Sequence, residues 1–173
     1  MKRTYRKIIP ILLIGIIAWM AWQIRTQVRQ KATIEAARET LPAFEFSTLA
    51  GEPYTRSHLP HGKALVIMLI HPECPHCQYE AKTLYQKREL HLPFHWILVS
   101  EAAHSQLEEF SHTYGLKALE NVQLLKADLG QFYQYFGTEV MPSTFLYDSQ
   151  YKLITDYKGE VKIEAIVKHL PAI

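Results

Sequence analysis

The sequence predicts an α/β fold in which a central mixed sheet is flanked by helices and preceded by one N-terminal transmembrane helix. Three observations predict it: an uncharged apolar run at Ile8–Trp22, an entirely apolar strand-like run at Ala64–Ile70, and alternating strand-like and helix-like segments after that run. The 173 residues are 48% hydrophobic and 21% charged. This composition is typical of one globular domain with some additional sequence.

The first segment has the pattern of a membrane anchor. Met1–Lys7 carries four positive side chains, and bulky residues at the end of the apolar run leave no small-residue cleavage site. We therefore expect an uncleaved anchor over residues 1–24, with its N-terminus inside and the rest of the chain extracytoplasmic, that is, periplasmic. Trp19 and Trp22 would lie at the far membrane interface.

The next segments indicate where the anchor ends and the folded domain begins. Residues 25–40 are charged and lack glycine and proline, which favours a helical stalk. We assign residues 41–173 to the globular domain. Phe44 and Phe46 alternate with polar neighbours, which predicts a short strand before a turn at Ala50–Pro53.

The centre of the domain is predicted around one buried strand. Ala64–Ile70 is apolar on both faces, as expected of a strand covered by helices on both sides. A helix over Pro75–Leu90 follows, because proline is tolerated in a first helical turn. The later predicted elements are a strand at Phe94–Val99, a helix at Ser105–Tyr114, a strand at Val122–Leu125, a helical turn at Gln131–Phe136, a hairpin of Thr144–Tyr147 with Leu153–Tyr157, and a final helix at Val161–Leu170.

The two cysteines of the chain stand together in Cys74-Pro75-His76-Cys77, where the buried strand leads into the predicted helix. A cysteine in a first helical turn lies beside unpaired backbone N–H groups and the positive end of the helix dipole, which favour the reactive thiolate. Cys77 returns to the same helix face one turn later, within reach of a disulfide with Cys74. The motif predicts thiol-disulfide chemistry in which Cys74 attacks and Cys77 resolves.

Composition excludes several other classes of protein. The net charge is only +2 and the nine histidines are scattered, so neither a nucleic-acid surface nor a funnel for acidic substrates is indicated. The pair Cys74 and Cys77 is the one intramolecular disulfide available to the chain. No cofactor is indicated.

These features together resemble the thioredoxin superfamily, in particular its membrane-anchored, extracytoplasmic TlpA-like branch. The resemblance covers about Leu41 to Leu170. It is carried by Gly62-Lys63 before the central strand, the CxxC after it, Glu80 beyond the second cysteine, and the loop Met141-Pro142-Ser143-Thr144-Phe145.

The resemblance implies a thioredoxin fold and a protein thiol-disulfide oxidoreductase. It implies that Pro142 is cis and lies beside the CxxC, where it contacts an extended substrate segment together with Met141 and Pro75. Cys74 and Cys77 would form the redox disulfide. The expected partners are protein thiol or disulfide clients and a membrane redox partner that recharges the CxxC, since a single span cannot carry electrons itself.

The chain also departs from the family pattern. The family's aromatic stretch is replaced by Leu69–Glu73, and Lys82 stands where a helix-kinking proline is common. The strand Ala64–Ile70 contains no acid, so Glu80 is the candidate for the proton-relaying carboxylate. His76 matches the dipeptide of periplasmic oxidants rather than that of the anchored reductases, which leaves the direction of electron flow open between oxidase, reductase and isomerase.

Other functions remain to be weighed against this one. The CxxC with His71 could form a soft-metal site of a binding module or chaperone, although the sequence offers no evident fourth ligand. Gln78 after the second cysteine excludes the c-type haem motif. A peroxidase would need a hydroxyl residue before the reactive cysteine, and residues 71–73 provide none. Outside the metal-site alternative, His58, His61 and His71 are interpreted as solvated or capping residues without a catalytic function.

Overall fold

The computed structural model describes residues 2–90 and 93–169, with side chains described from residue 12 onward. The chain divides into two compact units, Met1–Ala36 and Ala37–Ile173. The predicted end of the last helix at Leu170 lies outside the described residues, as do the side chains of the basic N-terminal segment.

The first unit consists of one long helix, α1, over Lys2–Ala37. The large apolar side chains from Leu12 to Ile24 along it are 52–67% exposed. Within the described part of the chain, no helix combines the length and the apolar character that crossing a membrane requires.

The second unit alternates strands and helices in the predicted order. Its strands are β1 (Glu45–Thr48), β2 (Pro53–Thr55), β3 (Ala64–Leu69), β4 (Phe94–Ser100), β5 (Val122–Lys126), β6 (Ser143–Tyr147) and β7 (Leu153–Lys158). Its helices are α2 (Pro75–Gln86), α3 (His104–Thr113), α4 (Gln131–Phe136) and α5 (Ile163–Val167). The predicted mixed sheet flanked by helices is confirmed.

The strands form one seven-stranded sheet in the order β2-β1-β5-β4-β3-β6-β7. Strand β3 pairs in parallel with β4 and antiparallel with β6, and β4 pairs in parallel with β5. The remaining pairs are antiparallel. The strand that leads into the CxxC is therefore held on both edges, which fixes the point where α2 begins.

Both faces of β3 are buried, as its continuous apolar sequence predicts. Val66 and Met68 face one hydrophobic cluster, which also contains Cys77 of α2. Leu65 and Ile67 face the opposite cluster. The CxxC helix is thus packed against the sheet through the face that carries its second cysteine.

The structure differs from the sequence-based elements at several places, and the last helix, predicted over Val161–Leu170, is the shorter α5 at Ile163–Val167. Strand β2 was not predicted, because its three residues become a strand only by pairing with β1. The helix predicted to reach Leu90 ends at Gln86. Leu84 is its last fully buried apolar residue, and residues 88–90 are exposed. Without an apolar face to bury, packing no longer stabilises further helical turns.

Candidate active site

The two cysteines lie at the start of α2 but in different environments. Cys74 is the N-cap residue, with extended backbone, and Pro75 is the first residue of the helix. Cys74 is partly exposed, whereas Cys77 is 0% exposed. The first cysteine is therefore accessible to a second protein, and the second is accessible only through the first.

The buried sulfur of Cys77 is held in its thiol form. The pKa of Cys77 is raised to about 12, mainly by burial and in addition by the hydrogen bond with Cys74 and the charges of Cys74 and Glu80. The backbone N–H of His71 donates to the Cys77 sulfur at 3.5 Å and works in the opposite direction. Cys77 needs a proton acceptor before it can attack a disulfide.

The loop that precedes β6 lies against the CxxC. The Met141–Pro142 peptide bond is cis, as the resemblance implies. The Cys74 thiol points to the carbonyl oxygen of Met141, with the sulfur 3.8 Å from that oxygen. Met141 is half-buried, Pro142 is buried, and Pro75, the residue after Cys74, is exposed. The structure thus places the Met141 carbonyl, next to the cis-proline, beside the reactive sulfur.

Glu80 is a buried carboxyl group one turn beyond Cys77 on α2. The residue is only 4% exposed, and its Oε1 accepts the backbone N–H of Val161 at 2.8 Å. Its Oε2 has no hydrogen-bond partner among the described residues. The pKa of Glu80 is raised to about 7, mainly by burial and to a smaller extent by the charge of Glu160, while the Val161 hydrogen bond and His76 work in the opposite direction. Glu80 can therefore exchange a proton near neutral pH.

A pocket of about 390 Å³ connects Glu80 with the surface of the domain. Tyr79 and Lys87 line it, together with Trp96 of β4 and Val161. Glu80, although buried, therefore borders this open space as well as the core.

His76 projects from the first turn of α2 into solvent and pairs with an acid that the sequence analysis did not identify. Its Nδ1 lies 2.8 Å from Oε2 of Glu160, in the loop between β7 and α5. The two residues are 84 positions apart, so no local sequence pattern could indicate the pair.

The remaining histidines of interest have structural contacts. His71 Nδ1 accepts the backbone N–H of Glu73 at 3.2 Å, and His58 Nδ1 accepts that of Thr55 at 3.0 Å. Both stabilise turns, and His61 is exposed. Within residues 2–90 and 93–169, no three or more His, Cys, Asp or Glu side chains are grouped to hold a metal ion.

The raised pKa of Glu80 predicts a pH-dependent stability. Between its ordinary pKa of 4.5 and about 7, the folded chain keeps this proton while the unfolded chain releases it, so stability falls as pH rises through this window. The full loss is about 3 kcal/mol, since one pKa unit corresponds to about 1.4 kcal/mol. Urea unfolding of Glu80→Gln should match the wild type near pH 4.5 and exceed it by up to that amount at pH 8.

A matched control is Glu73→Gln, since Glu73 is exposed and its carboxylate accepts a hydrogen bond from the side chain of Gln106. Its stability should follow the wild type at both pH values. A wild-type curve parallel to that of Glu80→Gln from pH 4.5 to 8 would mean that Glu80 ionises as an ordinary carboxyl group.

The comparisons with known proteins establish the fold. No protein-family model matches the chain, and no curated protein matches its sequence. A secreted disulfide oxidoreductase of Mycobacterium tuberculosis matches at 22% identity and a TM-score of 0.61, over 74% of this chain and 96% of that one. A putative thiol:disulfide interchange protein DsbE of Chlorobium tepidum matches at 18% identity and a TM-score of 0.63, over 75% of this chain and 91% of that one. StoA of Bacillus subtilis matches at 16% identity and a TM-score of 0.57, over 74% of this chain and 96% of that one.

These similarities define the class of domain. Likeness at these identities establishes architecture, and the chain has the thioredoxin fold, as the sequence resemblance implies. Within that fold, the chain places a Cys-Pro-His-Cys pair at the start of α2, a cis-proline loop beside it and a buried carboxyl group beneath it.

Proposed function

We propose that this chain is a protein thiol-disulfide oxidoreductase whose redox centre is Cys74 with Cys77. The observation that carries the proposal is the asymmetry of the pair: an accessible sulfur at the helix start, beside the Met141 carbonyl, and a fully buried sulfur behind it. The solved structures similar to this chain include proteins described as disulfide oxidoreductases, which supports the same chemistry.

The reaction proceeds by two exchanges at sulfur. The Cys74 thiolate attacks one sulfur of a client disulfide, forming a mixed disulfide and releasing the other client sulfur as a thiolate. Cys77 then gives its proton to Glu80 and attacks the Cys74 sulfur, which forms the Cys74–Cys77 disulfide and releases the second client thiolate. Two electrons pass from the chain to the client. In the opposite direction, the same steps oxidise a client dithiol.

Substrate positioning falls to the residues around Cys74. Met141 presents its backbone carbonyl next to the reactive sulfur, and Pro142 fixes that loop against α2. An extended client segment would pair with this backbone, while Pro75 and His76 form the opposite, exposed side of the binding surface. Recognition through backbone groups suits an enzyme with several protein clients.

We further propose that α1 tethers the domain to the cytoplasmic membrane, with the CxxC on the extracytoplasmic side. The proposal rests on the sequence pattern, four basic side chains in Met1–Lys7 followed by the uncharged run Ile8–Trp22, because no helix of the described residues has by itself the length and apolar character of a span. The large apolar side chains of α1 from Leu12 to Ile24 are exposed. The Mycobacterium tuberculosis protein of the same fold is described as secreted, which agrees with an extracytoplasmic location. A membrane redox partner would then exchange electrons with the CxxC after each turnover.

Protease accessibility tests this topology. In a bacterial host producing the full chain, protease added to spheroplasts should remove the domain that carries the CxxC, and the protein should keep its original N-terminus in the membrane fraction. A cytoplasmic protein serves as the control for intact cells. Protection of the domain equal to that of the control, or a mature N-terminus after Trp22, would contradict the tether.

The reduction potential tests the function itself. We expect the Cys74–Cys77 couple to equilibrate with glutathione at a potential more positive than about −270 mV, the value for thioredoxin. The reason is that the α2 dipole stabilises the Cys74 thiolate and hence the reduced form. His76→Ala should lower the potential by up to about 30 mV, equivalent to about 1.4 kcal/mol, because it leaves the negative charge of Glu160 without its partner near the CxxC.

Full-length protein equilibrated at a series of glutathione ratios, with thiols labelled and counted, gives both values. Exposed His112 of α3 offers a control variant, His112→Ala, whose potential should equal that of the wild type. Failure of the two cysteines to exchange with glutathione at any ratio would overturn the proposed function.

A further inference from the structure

Three consecutive residues after β7 contact three different parts of the candidate active site. The backbone N–H of Gly159 donates to the Pro142 carbonyl at 2.8 Å. Glu160 pairs with His76 at 2.8 Å, and the backbone N–H of Val161 donates to Glu80 at 2.8 Å. Gly159–Val161 thus connects the cis-proline loop at Pro142, the Pro75-His76 dipeptide between the cysteines, and the buried Glu80.

The position of Glu160 is fixed by its neighbours rather than by its own side chain. The hydrogen bonds of Gly159 and Val161 hold the backbone on both sides of it. Gly159 has a backbone φ of +91°, which residues other than glycine rarely adopt, and this lets the chain turn at this point. The backbone conformation therefore places the Glu160 carboxylate next to His76.

The charge of Glu160 changes what His76 can do for the reactive sulfur. A protonated His76 paired with the carboxylate has no net charge, and a neutral His76 beside it leaves a net negative charge. In neither state does the pair present a net positive charge to Cys74. The pairing also uses Nδ1 and directs that nitrogen to Glu160 rather than to the sulfur.

We propose that Glu160 is a positioning residue that sets the redox poise of the CxxC by holding His76, making the couple less oxidising than its Pro-His dipeptide would be alone. This inference rests on the proposed function, because it concerns the stability of the Cys74 thiolate. Its effect is of moderate size, because the side chains of His76 and Glu160 are 66% and 39% exposed and water screens their charges.

Glu160→Gln tests the proposal, because glutamine keeps the shape of the side chain and removes its charge. At a fixed glutathione composition, the ratio of reduced to oxidised protein should rise about 3- to 5-fold, as expected for a partly exposed ion pair. This corresponds to a potential about 15–20 mV more positive. Glu164→Gln is the matched control, since Glu164 is an acid four residues further along the chain, in α5, and pairs with Lys87 instead. Its ratio should not change.

The same substitution in a His76→Ala background separates positioning from simple charge. If Glu160 acts through His76, most of the shift should disappear in that background. An equal shift in both backgrounds, or no shift in either, would overturn the inference. If the wild-type cysteines exchange with glutathione and Glu160→Gln leaves the ratio of reduced to oxidised protein unchanged, only the inference is refuted. If the wild-type cysteines do not exchange with glutathione at all, the proposed function is refuted.

A second measurement does not depend on the redox reaction. In nitrogen NMR spectra of the full chain in detergent, the His76 ring should carry hydrogen on Nδ1 in the wild type, since that nitrogen faces the carboxylate. Glu160→Gln should reduce this preference. A ring with hydrogen mainly on Nε2 in both proteins would show that Glu160 does not hold His76, and would overturn the inference.

Discussion

Replacing Cys77 with alanine is expected to trap clients as mixed disulfides, whereas replacing Cys74 is expected to abolish exchange. Cys74 is the partly exposed sulfur beside the substrate-binding loop, and Cys77 is completely buried. Burial, the main cause, raises the pKa of Cys77 to about 12, so its sulfur is a thiol at pH 7. Cys74→Ala therefore leaves a sulfur that is neither accessible nor ionised, and turnover should fall by at least about 10³-fold.

Non-reducing gels of membranes from cells that produce each full-length variant measure the difference. Cys77→Ala should give high-molecular-weight species that disappear with reductant, and Cys74→Ala and the double variant should give none. Ser111→Ala, a buried substitution on α3 with both cysteines intact, controls for general effects of core changes. Equal trapping by both single variants would mean that either sulfur can attack, contrary to the burial of Cys77.

The local features of this domain could be predicted from sequence because they depend on neighbouring residues. The uninterrupted apolar run of β3 reflects burial on both faces, and the Cys-Pro start of α2 reflects what a first helical turn tolerates. The same is true of the β6–β7 hairpin, whose turn is closed by the Asp148 carboxylate accepting two backbone N–H groups. The order of these elements predicted alternating strands and helices, and the thioredoxin fold was implied by the resemblance that the CxxC and the Met141–Phe145 loop carry.

Features that depend on distant residues were not predictable. Strand β2 exists through its pairing with β1, and the end of α2 is set by where its packing against the core stops. The carboxylate of Glu160 meets His76 across 84 residues, by way of the loop after β7. Glu80 was identified by resemblance. That it is buried with one carboxyl oxygen lacking a hydrogen-bond partner among the described residues, and that it lines a pocket, could be seen only in the three-dimensional structure.

Glu80→Gln is expected to slow the second exchange step, in which Cys77 displaces the client, by about 10²-fold. This step requires the Cys77 thiol to lose its proton, and Glu80 is the buried carboxyl group whose charge raises the pKa of that thiol. With its own pKa near 7, Glu80 is matched to accept a proton at neutral pH, and general-base catalysis of this kind contributes about 10²- to 10⁴-fold. The first exchange, at Cys74, should keep its rate.

Single-turnover measurements distinguish the two steps. A fluorescent mixed disulfide formed on Cys74 should be released quickly in the wild type and in Glu73→Gln, and slowly in Glu80→Gln. In the wild type, the release rate should rise with pH up to about 7 and then level off as Glu80 loses its proton. In Glu80→Gln, it should continue to rise with pH, because hydroxide becomes the proton acceptor.

A purely structural function for Glu80 would give a different combination of results. Removal of a group that only supports the fold lowers stability and activity together. Glu80 is instead a buried carboxyl group with one oxygen unpaired among the described residues, so its ionised form destabilises the fold. Its replacement by glutamine should make the domain more stable at pH 8 and slower in releasing clients. A variant that is both less stable and equally slow in both exchange steps would show that Glu80 holds the helix in place rather than accepting the proton of Cys77.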